Sequence, residues 1–231
     1  MATLLSEVLA RVRDNLDEQT QGSWLQQSLR RWINEGMQDA ARETKALKGT
    51  TTINVATGVS EYTLAANILE VYRLYFVDAA GNRNPLAPTQ YEGADQIWGA
   101  NQNTRSGDPV MFTTWGFPPS LVMKVYPTPT ANVVGGFILH IARMPALLDI
   151  TGAGDGTAVD FPESWIDVIV DYCEYRALRK DRDPRWQESY NFYREKRDAL
   201  QDTDYLDVSR NVIIDAVAGS VPSWIADPGW G

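Results

Sequence analysis

The run DFPESWIDVIVDYCEYRALRK, Asp160–Lys180, is where the chain changes its period. Trp165, Ile166, Ile169, Val170, Cys173 and Ala177 recur three and four residues apart, which is one stripe of an amphipathic helix. Asp160, with Glu163 three residues on and Pro162 between them, reads as a capping-box start. DRDP interrupts the pattern, and a further helix from about 184 to 201 carries Trp186, Tyr190, Tyr193, Arg197 and Leu200. Working backwards, TGAGDGTAVD is the connector into this helical third.

Upstream of that connector the residues follow a different rule. TTINV, EYTL, LEVYRLYFVD, PVMFTTW, LVMKVYP and FILHIAR are rich in β-branched and aromatic residues and stand between turn signals. They predict an antiparallel β region of about six strands, with hairpins at AAGNRNP and GFPPS. Tyr91–Trp98 reads as a short helix between strands. Before Thr50 the helical period holds again. Leu4, Leu5, Val8, Leu9, Val12 and Leu16 mark one helix over 3–17. Ser23 is the expected N-cap of a second, running to about Lys45, with Leu25, Leu29, Trp32, Ile33, Gly36, Met37 and Ala40 on one stripe.

Four helices that each bury one stripe bury them most economically together. The expected fold is therefore α+β: a four-helix bundle made from N- and C-terminal helical hairpins, an inserted antiparallel β module and an extended C-terminal arm. The matching divisions are 1–49 for the first hairpin, 50–150 for the β module, 151–204 for the second hairpin and 205–231 for the arm.

Composition narrows the function. A formal net charge of −9 argues against a protein that grips nucleic acid, because phosphate neutralisation needs clustered Lys and Arg. Eight tryptophans and ten tyrosines are a load suited to cores and to interfaces. The single Cys173 excludes an intramolecular disulfide and reads as a small buried hydrophobe. MATLLSEVLARVRDNLDE carries charges too often for a secretory signal, and the apolar run at 133–141 is too short to span a bilayer. The expectation is a soluble protein made in the cytoplasm, with no membrane partner.

Chemistry-bearing motifs are sparse. His140 is the one histidine, on a strand, with no flagged serine and acid to complete a triad and no Cys or second His to share a metal. GAGDG lacks the Lys-Ser/Thr of a phosphate loop. Asp149, Asp155 and Asp160 match no calcium-loop spacing. RKDRDPR, Arg179–Arg185, alternates in sign and reads as a solvated loop, with partner docking as the other reading. Catalytic, cofactor and metal residues are thus all expected to be none, and the chain is not expected to be an enzyme. Trp98, Trp115 and Phe117 lie near turns, where a glycan-binding β module would place them, so a glycan- or receptor-binding tail component is the alternative function.

Five motifs in order carry a resemblance. W-x4-L-x2-W-I-N-E-G spans Trp24–Gly36 and GDP spans Gly107–Pro109. An L-x-V-Y-P-x-P pattern covers 123–129, with Met123 in the leucine place, and R-x-P spans Arg143–Pro145. Last comes P-E-S-W-I-D-V-I-V-D-Y-x-E-Y-R-A, Pro162–Ala177. Over roughly 20–200 the chain resembles the head-to-tail adaptor (connector) proteins of tailed bacteriophages. The resemblance implies a structural virion protein of the neck, forming a ring of twelve subunits beneath the portal protein. Such a ring extends the channel, lets DNA pass without specific binding, and offers a platform to a tail or nozzle protein. A ring subunit needs heterologous side faces and no catalytic site.

The last residues, NVIIDAVAGSVPSWIADPGWG, hold no lysine or arginine, and Gly219, Pro222, Pro228 and Gly229 forbid a continuous helix. They read as an extended arm that leaves its own subunit for the portal or a neighbouring adaptor, anchored by Ile213, Ile214, Val217, Trp224, Ile225 and Trp230. The alternative is that the segment folds back onto its own β module.

Overall fold

The computed structural model describes residues 3–17, 24–90, 105–152 and 156–201. Helix α1 (Leu5–Asn15) buries Leu5, Val8, Leu9 and Val12, the i, i+3, i+4, i+7 set of one face. Its start is tied down by Glu7, whose Oε2 accepts the Leu4 N–H at 3.1 Å. It is also tied to the connector, since Leu5 N–H donates to Thr157 O and Val159 N–H to Thr3 O, each at 2.9 Å. Helix α2 (Gln26–Thr44) stops where Lys45 turns left-handed at φ 55°. Leu25 holds its N-cap position, and the expected cap Ser23 lies outside the described residues.

Seven strands follow: β1 (Lys48–Val55), β2 (Glu61–Thr63), β3 (Ile68–Val77), β4 (Arg83–Pro88), β5 (Met111–Trp115), β6 (Val122–Tyr126) and β7 (Val133–Arg143). They form one sheet in the order β1-β7-β3-β4-β5-β6-β2. All neighbours are antiparallel except β4 and β5, which run parallel through Ala87 opposite Met111 and Pro88 opposite Phe112. Both expected hairpins form. Asp78 closes the first by accepting the Ala80 and Asn82 N–H groups at 2.9 and 2.8 Å. Gly116, at φ +88°, closes the second. The helix expected over Tyr91–Trp98 falls outside the described residues.

The chain then returns to helix through a 3-10 turn, Glu163–Trp165, into α3 (Ile166–Asp181). Arg182 ends it at φ 60°, and α4 runs over 186–201. Helix α3 buries Ile166, Val168, Ile169, Val170, Tyr172, Cys173, Tyr175 and Ala177, which do not fit on one stripe. It is the centre of the helical layer, packed on α1 and α2, which scarcely touch each other. Gly36 lets α2 come close: a Cβ there would stand 3.0 Å from the Tyr172 ring. On the other side α4 closes over α3 with an aromatic run, Tyr190 and Tyr193 meeting Tyr175 and Tyr172 at ring-centroid distances of 4.9 and 5.2 Å.

The four-helix bundle with a β insertion is therefore corrected. The fold is α+β and β-rich, with four described helices beside a curled seven-stranded sheet in the manner of a half-barrel. The sheet has a core of its own, with Leu74, Met123, Val125, Phe137 and Leu139 at its centre, separate from the helical core around Leu29, Ile33, Met37, Trp165 and Ile169. The physical reason lies in strand length and pairing. At 10 and 11 residues, β3 and β7 are long enough to twist and curl together. The curl brings the apolar faces of β2, β5 and β6 inward, so the sheet buries itself without needing the helices as its main cover.

Candidate functional site

The two layers are joined by the segment that leaves β7. Arg143, the last residue of β7, grips Asp160 with two parallel bonds, Nη1 to Oδ2 at 2.6 Å and Nη2 to Oδ1 at 2.8 Å. Asp160 also accepts the Ala146 N–H at 2.7 Å. Held this way by Arg143 first, its carboxyl sits below the ordinary aspartate range. The capping-box role expected for Asp160 is thus corrected: the residue at the cap position is Pro162. Further along, Asn34 of α2 makes a two-way pair with Leu148, donating to its carbonyl and accepting from its N–H, both at 2.9 Å. Buried Arg30 donates to Asp149 O at 3.0 Å. Sequence reasoning passed over Arg30 and Asn34. Their signal was present, since each lies one residue beyond Leu29 and Ile33 on the buried stripe of α2.

The residues weighed for chemistry are dispersed. His140 is exposed on β7, with its ring edge-on to Tyr75 at 5.7 Å. Cys173 is wholly buried in the helical core, and burial pushes its thiol far up, away from thiolate chemistry. Asp149 holds the Thr151 N–H at 2.8 Å in a local turn, Asp160 is bound to Arg143, and Asp155 lies outside the described residues. Among the described residues no group of three His, Cys, Asp or Glu side chains is gathered to hold a metal. No helix there is long and apolar enough to cross a membrane. Of the aromatics considered for glycan stacking, Trp98 lies outside the described residues and Trp115 is half-buried in β5. Phe117 stands out at the β5–β6 hairpin tip, 87% exposed.

A cleft of about 610 Å³ opens between the end of α1, α3 and α4. It is lined by six carboxylates and two cations, with Asp17, Asp171, Glu174, Asp181 and Glu188 among the acids. Asp171 is paired with Lys196 at 2.6 Å and Asp183 with Arg185 at 2.7 Å. Glu174 is pushed above the ordinary glutamate range, by burial first and then by the charge of Asp171. A separate groove of about 400 Å³ is lined by Trp32, Arg176, Arg179 and Lys180. There Lys180 sits over the rings of Trp24 and Trp32, at 5.1 and 5.6 Å from their centroids. Arg179 lies over Trp186 at 5.7 Å and donates to the Tyr175 hydroxyl at 2.6 Å. The six arm anchors, Ile213, Ile214, Val217, Trp224, Ile225 and Trp230, all lie outside the described residues.

The fold is thus a curled sheet joined to a helical layer, α+β in class, with charged and open concavities on the helical side. The chain belongs to the family described as SU10 adaptor protein, whose model matches residues 3–220. That family is one of bacteriophage adaptors, so the protein is a phage structural adaptor of the virion neck. Comparison with curated proteins gives no match.

Proposed function

We propose that this adaptor forms a ring, of twelve subunits as the connector resemblance implies, that docks beneath the portal. The ring extends the DNA channel and carries the tail or nozzle protein below it. The observation that supports this reading is the adaptor-family match along 3–220, nearly the whole chain. The net charge of −9 agrees with a channel through which DNA slides without sticking. Residues 205–231 serve as the docking arm, with Ile213, Ile214, Val217, Trp224, Ile225 and Trp230 seated on the portal or on a neighbouring adaptor. An arm that orders on binding makes docking follow portal assembly.

The test is electron microscopy of the portal ring from the same genome mixed with full-length protein, and with a version ending at Asp204. The expected result is a symmetric added layer with the full chain and none with the shortened one. A layer with both keeps the ring and removes the docking role of the arm. A full-length chain that stays monomeric beside the portal overturns the ring.

A further inference from the structure

Helix α3 separates two surfaces of opposite sign. Asp171, Glu174, Leu178 and Asp181 line the acidic cleft, while Arg176, Arg179 and Lys180 line the aromatic groove. At 3.6 residues per turn the two sets point about 170° apart around the helix axis. Within the groove, Arg176 is matched by Glu35 at 2.7 Å. Arg179 and Lys180 are exposed and are held by aromatic rings and a phenol, with no carboxylate in salt-bridge reach among the described residues. Across the helix, exposed Asp181 has no cation in salt-bridge reach among the described residues, and exposed Glu188 feels Arg185 without a salt bridge to it, while Arg185 itself is bound to Asp183.

We infer that the two surfaces meet between copies: Arg179 and Lys180 of one subunit enter the acidic cleft of the next, beside its Asp181 and Glu188. The inference rests on the ring reading and names the side contact that reading requires. Two different patches on opposite sides of one helix give a heterologous, head-to-tail contact, which closes into a ring when the rotation between subunits closes. Charge complementarity fits a second copy better than DNA, because the cleft would repel phosphate while the groove alone offers only two uncompensated cations. Ring contacts already order the two cations in the isolated subunit, so little side-chain freedom is left to lose on contact.

The test uses two full-length double variants, Arg179→Glu/Lys180→Glu and Asp181→Lys/Glu188→Lys, each checked for folding by circular dichroism and added to the portal ring. Each variant alone is expected to add its layer at least about tenfold more weakly than the wild type, because like charges face each other across every side contact. An equimolar mixture is expected to restore the layer, since each variant's altered face complements the other's. Should a reversal disturb folding, the neutral pair Arg179→Gln/Lys180→Gln replaces it, and its layer is expected to lose most of the wild type's sensitivity to salt. Variants that assemble alone as well as the wild type overturn the contact while leaving the ring. Loss in both variants without rescue in the mixture overturns it too, and assigns these faces to another partner. A wild-type chain that adds no layer removes the ring reading and this contact with it.

Discussion

Gly116 has room for hydrogen and nothing larger. Its φ is +88°, and a Cβ there would lie 2.8 Å from the Ser120 carbonyl oxygen, a backbone atom that cannot swing away. Gly116→Ala is therefore expected to destabilise the fold by about 2 kcal/mol, seen as a lower urea midpoint at unchanged slope. Glu174 gives a second residue-scale expectation, with a defined pH sense. Its native pKa is raised, so the folded state binds the proton more tightly and loses stability as pH rises past the unfolded carboxyl value. Glu174→Gln removes that loss. It is expected to raise Tm at pH 7 and to leave it unchanged near pH 3, with solvent screening holding the gain below about 1 kcal/mol.

Among the elements, the critical one is the strap from β7 to α3. Asn34→Ala would leave the Leu148 N–H and carbonyl buried without their partner, and is expected to cost about 2–3 kcal/mol in chemical unfolding. Asp160 adds a pH-dependent bond. Its carboxyl is lowered by Arg143, so the stabilisation is full above the unfolded aspartate pKa and is lost as pH falls through the lowered one. Asp160→Asn is expected to lose about 2 kcal/mol at pH 7, a gap that narrows as pH falls from the unfolded aspartate value through the lowered one. This residue also shows where local reading stops. Asp160 and Glu163 have the spacing of a capping box, but Arg143, 17 residues away in the chain, outbids the helix for the same carboxylate. Ser23 and Leu25 show a related shift, a local cap signal placed ahead of a helix that begins at Gln26.

At the scale of the molecule, two cores are joined by the strap from β7 to α3 and by the α2–β1 junction, where Lys45 pairs with Glu70 and Leu69 packs on the helical core. Leu139, fully buried in the sheet, lies opposite Thr51 and Leu74. Leu139→Ala is expected to cost about 3 kcal/mol. If the layers unfold as one unit, hydrogen exchange should quicken in α3 as well as in β7. Acceleration confined to the sheet would show two independently melting layers. The helices and strands themselves were legible from periodicity, because a 3.6-residue stripe and a two-residue alternation are properties of consecutive residues. Leu5, Val8, Leu9 and Val12 announce α1 without help from any distant contact. So do both hairpins, whose turn residues act within a few positions. The ordered motifs from Trp24 to Ala177 also pointed to the adaptor family that matches residues 3–220. What tertiary structure alone decided was who pairs with whom. The parallel contact of β4 with β5, the curl that gives the sheet its own core, and the central place of α3 depend on which apolar faces meet first and fit best. Those are energies of contact between residues far apart in the chain, and no local pattern encodes them.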